Sequence, residues 1–414
     1  MIKNWARNLE FSAGEFLEIN SISQLQEVIN NSDKVKVLGT GHSFSPIADT
    51  SGSLISIKKL DPEIHIDSKM QTVSVSAGTS YAQLARYLEA NGWALENLAS
   101  LGEITVAGAI MTGTHGSGSS NTVLSNAVVE IEMILASGEK LLLNQQNLEE
   151  FNGFIVSFGA LAVFTRLKLK IVKSFSIKQI VYENITSKSV SEYFDEIFDN
   201  AYSVSYFNSW AKNSTGQIWM KFLSDKDTST LPKNAFGGNL AVANQHPVKV
   251  NDPSTCTEQM GAPGKWLYRL PHFKLDSSPA SGDEVQTEYL VDRKYVKEYI
   301  EELSLIGDEI ADKVYATEIR TIKADNLWLS GAYERPTVGF HFTWKKSADI
   351  ETFLPKIEQI LGQNGGRPHW GKLFSTNKNQ LITRYPKFSN FQQLLKKYDP
   401  DGKFRNQFID RYFY

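Results

Sequence analysis

The sequence predicts an α+β protein of two domains, on three observations. The chain has 414 residues, more than a single hydrophobic core usually serves. Helix-period and strand-period segments are mixed along it, with no clean βαβ repeat. From about residue 176 the composition turns aromatic, with Tyr202, Tyr206, Phe207, Trp210, Trp219 and Phe222 crowded together; they read either as a sheet core or as the wall of a substrate pocket. One domain therefore closes near residue 175.

In chain order, Ser23 caps a helix over residues 24–30, with Leu25, Val28 and Ile29 on one face. A half-buried strand follows, in which Val35 and Val37 alternate with Lys34 and Lys36, and it runs into Gly39-Thr40-Gly41. Two glycines permit positive φ and close backbone approach, and successive outward amides make a nest for phosphates with His42 at its lip. A plain strand, a tight turn and a surface histidine is the other reading. Strands are expected at 54–57 and 72–76, and Ser80 opens a helix carrying Leu84, Tyr87 and Leu88, with Gly92 just past its end. Residues 102–118, GEITVAGAIMTGTHGSG, hold five glycines among Thr105, Thr112, Thr114, Ser117 and His115. They form either a short helix at 105–111 with a loop after it, or a main-chain bed for a long ligand, small where backbone touches and hydroxylated where oxygens need donors. Neither glycine segment is a P-loop, and the first lacks the third glycine of the dinucleotide fingerprint. Strands at 128–136 and 163–172 close this half. Residues 224–283 are a long stretch rich in Pro, Gly, Asn and Ser, of the kind that is usually functional. Strands at 284–291, 313–322 and 338–344 and helices at 292–304 and 347–361 follow.

The segments GTGHSFSPIADT (39–50) and NLASLGEITVAGAIMTGTHGSG (97–118) resemble the FAD domain of vanillyl-alcohol-oxidase-type flavoproteins, specifically the branch of alditol (xylitol) oxidases and aldonolactone oxidases. TEQMGAPGKWLYRLPHF (257–273), EVQTEYLV (284–291), TEIRTIKADNLWLS (317–330) and RPHWGK (367–372) are similar to the alditol oxidases in particular. The resemblance implies a PCMH-type FAD-binding domain at 1–175, a mixed-sheet cap over the flavin at 176–365, and a return to the FAD domain at 366–414. It implies one FAD per chain, bonded covalently to His42 through the flavin 8α-methyl group. Flavin contacts are implied for Val37, Leu38, Gly39, Thr40, Gly41 and Ser43, for Ser100, Thr105, Gly108, Thr112, Gly113, Thr114 and His115, and for His369 and the main chain near Val163. Substrate contacts are implied for Ser100, Glu318, Arg320, Thr343 and Lys372, with Gln286 and His341 lining the pocket.

The residues themselves support a polar site. Glu318 and Arg320 are two apart on a strand and share a face. Along 338–344, Val338, Phe340, Phe342 and Trp344 take one face and His341 and Thr343 the other, so these polar groups are either solvent-exposed or line a cavity. Oxidation of a polyol needs hydroxyls held in register, which suits a carboxylate and a guanidinium, and a base for the reacting O–H, which suits His341 with Lys372 as partner or rival. His65, His246 and His272 show no partner spacing, and no metal-ligand pattern joins them.

Net charge is −3, which offers no basic field for nucleic acid or an anionic membrane and fits a neutral substrate. The single cysteine, Cys256, cannot make an internal disulfide; with no apolar leader and no 18-residue apolar run, the expected location is cytoplasmic. The expected reaction takes the primary alcohol of an alditol such as xylitol or sorbitol to the aldose, with O2 reduced to hydrogen peroxide. The alternatives are an aldonolactone oxidase or dehydrogenase acting on gulono-, galactono- or arabinonolactone, and a non-catalytic carbohydrate-binding protein. Oligomeric state is open, a monomer included.

Overall fold

The computed structural model describes residues 2–146, 150–229, 231–277, 283–346 and 349–414. Near the N-terminus, Glu15–Glu18 and Val35–Val37 flank Ser53–Ser56 in a small parallel sheet. A five-stranded antiparallel sheet lies beside it, in the order His65–Asp67, Thr72–Ser76, Val163–Lys170, Val128–Ile134 and Lys140–Asn144. One core joins these sheets to the helices Ile22–Asn31 and Tyr81–Ala90 and to the C-terminal helices Lys378–Arg384, Phe388–Tyr398 and Gln407–Phe413, which contribute Leu381, Phe391, Phe408 and Phe413.

The second half of the chain builds a large antiparallel sheet. Its centre runs Ser176–Ile185, Gly216–Leu223, Ser203–Asn208, Val314–Ile322, Thr337–Lys345, Glu284–Asp292, and it is extended at one edge by Arg367–Pro368. Strand alternation sorts its two faces. Val338, Phe340, Phe342 and Trp344 go to one side and pack with Tyr299, Ile300 and Ile357 from the helices Val296–Leu305 and Ile350–Leu361. The opposite face is polar and turns toward the glycine-rich segments.

Several local expectations are corrected. The first helix is capped by Ser21, whose hydroxyl accepts from Gln24 N at 3.2 Å, so Ser23 lies inside the helix. Lys36 is buried, since the sheet is covered on both sides; its ammonium donates to the carbonyls of Phe158 and Gly159 at 3.1 Å each. The strand expected over 163–172 breaks at Ile171, and Val172–Lys173 pairs with Trp93–Ala94. The helix expected from 292 begins at Val296 after a 3-10 turn. The last expected helix begins at Ile350; residues 347 and 348 lie outside the described residues. The aromatic segment is mostly core: Tyr206, Trp210 and Phe222 enter the helix-side core, Trp219 packs with Phe207 and buried, unpaired Cys256, and of the six aromatics only Phe207 also faces a cavity. Among the described residues, no helix is long and apolar enough to cross a membrane.

Candidate active site

Between the two halves lies a cavity of about 610 Å³, lined by residues 36–45, 99–105, 107–109, 111 and 112, by Thr114 and His115, and by the polar face of the large sheet. The glycine segments meet on one side chain. A Cβ added at Gly39 would come 2.6 Å from Thr105 Oγ1, and one added at Gly108 would come 2.8 Å from the same atom. Thr105 also caps the helix Val106–Met111, so it cannot move aside without losing that cap, which typically costs about 1 kcal/mol. Gly41 sits at φ +70°, where L side chains are strained. Bare backbone, the hydroxyls of Thr112 and Thr114 3.0 Å apart, and elongated space fit a dinucleotide such as FAD. His42 lines the same cavity and stacks on Trp5, ring centroids 5.2 Å apart. Its Nε2 is 3.9 Å from a Glu103 carboxylate oxygen, and burial pushes its imidazole down to about 4.

Strand register assembles the rest. Glu288, His341, Glu318 and Phe207 lie opposite one another across four adjacent strands, and Gln286, Thr343 and Ala316 form the next row. The edge strand Arg367–Pro368 then turns, with His369 N donating to Glu288 O and Lys372 N to His369 O, which delivers Lys372 over the row. The Lys372 ammonium is 2.6 Å from Glu288 Oε2 and 2.6 Å from His341 Nδ1, while His341 Nε2 is 3.1 Å from Thr343 Oγ1. Arg320 donates to Glu288 Oε1 at 2.6 Å, and its Nε lies 3.5 Å from Glu318 Oε1. His115 Nε2 is 3.3 Å from Glu288 Oε1.

These contacts set the charges. Burial pushes the Glu288 carboxyl up, but Arg320 and Lys372 outweigh it and hold the group well below the usual carboxylate range. Glu318 is likewise held low against its burial, by Arg320 and His272. Burial and the Lys372 charge push His341 down to about 4, so its ring is neutral. Burial also lowers Lys372, with Glu288 opposing. Among the described residues, the ligand atoms of His115, Glu288 and His369 fall within 4.8 Å of one another. Both oxygens of Glu288 are already held by cationic side chains, so this group is a charge network and not a ready metal centre.

The cavity lining includes Val37 to Ser43, Ser100, Thr105, Gly108, Thr112, Thr114, His115, Gln286, Glu318, Arg320, His341, Thr343, His369 and Lys372. Gly113 and Val163 are not in it. Gly113, at φ +67°, turns the chain after the short helix, and the Val163 side chain is buried in the core while Ala162 and Phe164 face the cavity. Two residues the sequence reading left out are central. Glu288 was legible, being two places from Gln286 on one strand and so on the same face. His272, read as partnerless, lines the cavity with its Nε2 2.8 Å from Glu318 Oε1; only the crossing of the 224–283 loop brings them together. His246 and Lys274 from that loop line the cavity as well.

Comparison with known proteins agrees with this geometry. A family model described as FAD binding domain matches residues 16–144, and one described as D-arabinono-1,4-lactone oxidase matches residues 282–412. The chain is 37% identical to an alditol oxidase from Streptomyces sp. (strain IKD472 / FERM P-14339), over 99% of this chain and 98% of that one. It is 26% identical to the L-gulonolactone oxidase of Mus musculus and 24% to an L-gulono-1,4-lactone dehydrogenase of Mycobacterium tuberculosis, again nearly end to end. A crystal structure of cholesterol oxidase from B. sterolicum superposes with a TM-score of 0.77 at 12% identity, covering 99% of this chain and 95% of that one, which shows a shared fold. Identity of this extent over the full length of both chains, joined to an FAD-binding half and a polar sheet face, places the chain in the alditol oxidase family of vanillyl-alcohol-oxidase-type FAD flavoproteins.

Proposed function

We propose that this protein oxidises the terminal primary alcohol of an alditol such as xylitol or sorbitol to the aldose, with O2 reduced to hydrogen peroxide. One observation carries the reading: Glu318, Arg320, Thr343, His341 and Lys372 converge on the cavity that the glycine segments extend. Residues 1–175 and 366–414 hold the FAD in this reading, and 176–365 cap it. His42, a neutral imidazole at the lip of the nest, is the covalent anchor. The bound flavin supplies the hydride acceptor.

The chain's own groups then divide the work. Glu318 accepts from substrate hydroxyls, and Arg320 donates to them; a row of O–H groups satisfies both, which a lactone ring does less well. Proton removal falls to the Lys372 and His341 pair. When Lys372 is an ammonium donating to Nδ1, Nε2 carries the ring hydrogen and the pair has no free lone pair. With one proton fewer, neutral Lys372 accepts from Nδ1–H, and Nε2 is free to take the alcohol proton as hydride leaves carbon. That proton enters at Nε2, Nδ1–H passes to Lys372, and the positive charge ends 2.6 Å from Glu288. An alcohol is a far weaker acid than either group, so proton and hydride must depart in concert.

The test is anaerobic bleaching of the bound flavin by xylitol, sorbitol, a monohydric alcohol and galactono- and gulonolactone, with peroxide followed in air. Faster reduction by the lactones than by every alditol would move the protein to the lactone branch. A colourless protein that gains no visible absorbance with FAD would instead leave a carbohydrate-binding role.

A further inference from the structure

We propose that His272 and Lys221 are positioning residues for polyol binding: they pin one oxygen of Glu318 and leave the other presented to the cavity. The inference rests on the alditol reading above.

Lys221 lies on the strand Gly216–Leu223, opposite Ser203, and is 1% exposed. Its ammonium donates to Leu270 O and lies 3.3 Å from His272 Nδ1. Among the described residues, no carboxylate stands within ion-pair distance of it. Burial lowers the Lys221 ammonium to about 7, and the charge that opposes this most is at one remove. That charge is Glu318, reached through His272.

The order of hydrogens along this row follows from chemistry. The Glu318 carboxylate only accepts, so His272 Nε2, at 2.8 Å, carries the ring hydrogen and donates it. Nδ1 is then the acceptor, and the Lys221 amino group, charged or neutral, supplies an N–H to it. The ring stays neutral, since burial and Lys221 push it down to about 4. A neutral donor leaves the full negative charge on Glu318, where a second cation would have cancelled it and blunted its attraction for hydroxyl hydrogens.

The ring is also mechanically held. Phe207 and Trp219 meet it edge to face, with centroids at 5.2 Å and 5.6 Å and interplanar angles of 79° and 86°. Its backbone is fixed by Thr257, which donates from N to His272 O at 3.0 Å and from Oγ1 to Pro271 O at 2.9 Å. A second contact to Nε2 comes from Ser205 Oγ at 3.4 Å. On Glu318, the contacts from His272 and from Arg320 Nε both fall on Oε1, which leaves Oε2 for the substrate.

Three variants of the flavin-loaded enzyme test this: His272→Phe, His272→Gln and Lys221→Met. The Phe variant keeps an aromatic ring and removes both nitrogens; KM for xylitol and sorbitol should rise about tenfold or more, the scale of one lost hydrogen bond to a charged group, with a several-fold smaller change for a monohydric alcohol. The Gln variant keeps an N–H toward Glu318 and a carbonyl toward Lys221, and should recover alditol KM to within about threefold of wild type. Lys221→Met should shift alditol KM in the direction of the Phe variant. A merely structural role predicts instead a lowered Tm and flavin content with equal losses on both substrate types, and no rescue by Gln. Wild-type alditol KM in His272→Phe overturns the inference. If that variant does not load flavin, wild-type alditol KM in Lys221→Met overturns it. A wild-type enzyme whose flavin no alditol reduces overturns the functional reading first, and the positioning role with it.

Discussion

Nζ of Lys372 lies 2.6 Å from Nδ1 of His341, so the protonation state of each group sets that of the other. Replacing either breaks the pair in a different way. Lys372→Met removes the group that exchanges a proton at Nδ1, and His341→Ala removes Nε2 itself. Each should slow anaerobic flavin reduction by about 10²-fold or more, the usual scale for loss of a general base. Stopped-flow reduction at the wild-type rate in either variant would take that residue out of the reaction.

The same pair fixes a pH dependence. Its base form is one proton poorer, and burial places Lys372 below its ordinary value of 10.5. The reduction rate for an alditol should therefore rise with pH and level off before 10.5. A rate that falls as pH rises through neutrality would reverse the assigned proton order.

Glu318→Gln keeps shape and removes charge. The lost charge-assisted hydrogen bond should weaken kcat/KM for alditols by about 1.5 to 3 kcal/mol, roughly ten- to a hundredfold. The effect should shrink for a short alcohol that lacks the extra hydroxyls. Equal losses on both substrates would mean that Glu318 does not read the polyol chain.

Glu288 balances Arg320 and Lys372, and all three side chains are largely buried. Glu288→Gln leaves two cations facing an amide, and breaking a buried ionic group from one side costs about 3 to 5 kcal/mol. Denaturant unfolding should show a loss of that size, larger than for Glu318→Gln. An unchanged midpoint would mean that the cations find other partners.

Three histidines, His42, His272 and His341, have values lowered from 6.5 to about 4 in the folded chain. Between those limits the unfolded chain binds protons that the folded one refuses. Stability is therefore fully present above 6.5 and is lost as pH falls toward 4, by at most about 1.4 kcal/mol per pH unit for each histidine. Thermal melts from pH 7 to pH 4.5 should show the decline, and the His272→Gln variant should show a shallower one.

Covalent attachment at His42 predicts that acid-precipitated protein stays yellow and that His42→Ala releases its flavin to the supernatant. Complete release from the wild-type protein would exclude the bond.

Period-two alternation was enough to put Glu318 with Arg320 and His341 with Thr343, because a strand allows its side chains only two directions. Applied once more, it would have put Glu288 beside Gln286. The glycine segments 39–41 and 102–118 announced a main-chain bed, since glycine density leaves backbone bare whatever packs around it. Lys36 defeated the same logic: alternation names a face without saying whether something covers it. Register across three strands, which no local pattern encodes, decided that Glu288, His341 and Glu318 share one row. The path of the 224–283 loop decided that His272 reaches Glu318 and that Lys221 stands behind it, contacts 46 and 51 residues apart along the chain. Side-chain chemistry and periodicity are local and can be read from the chain. Which charges neutralise which is a matter of distance in a medium of low dielectric, and only the folded packing sets that.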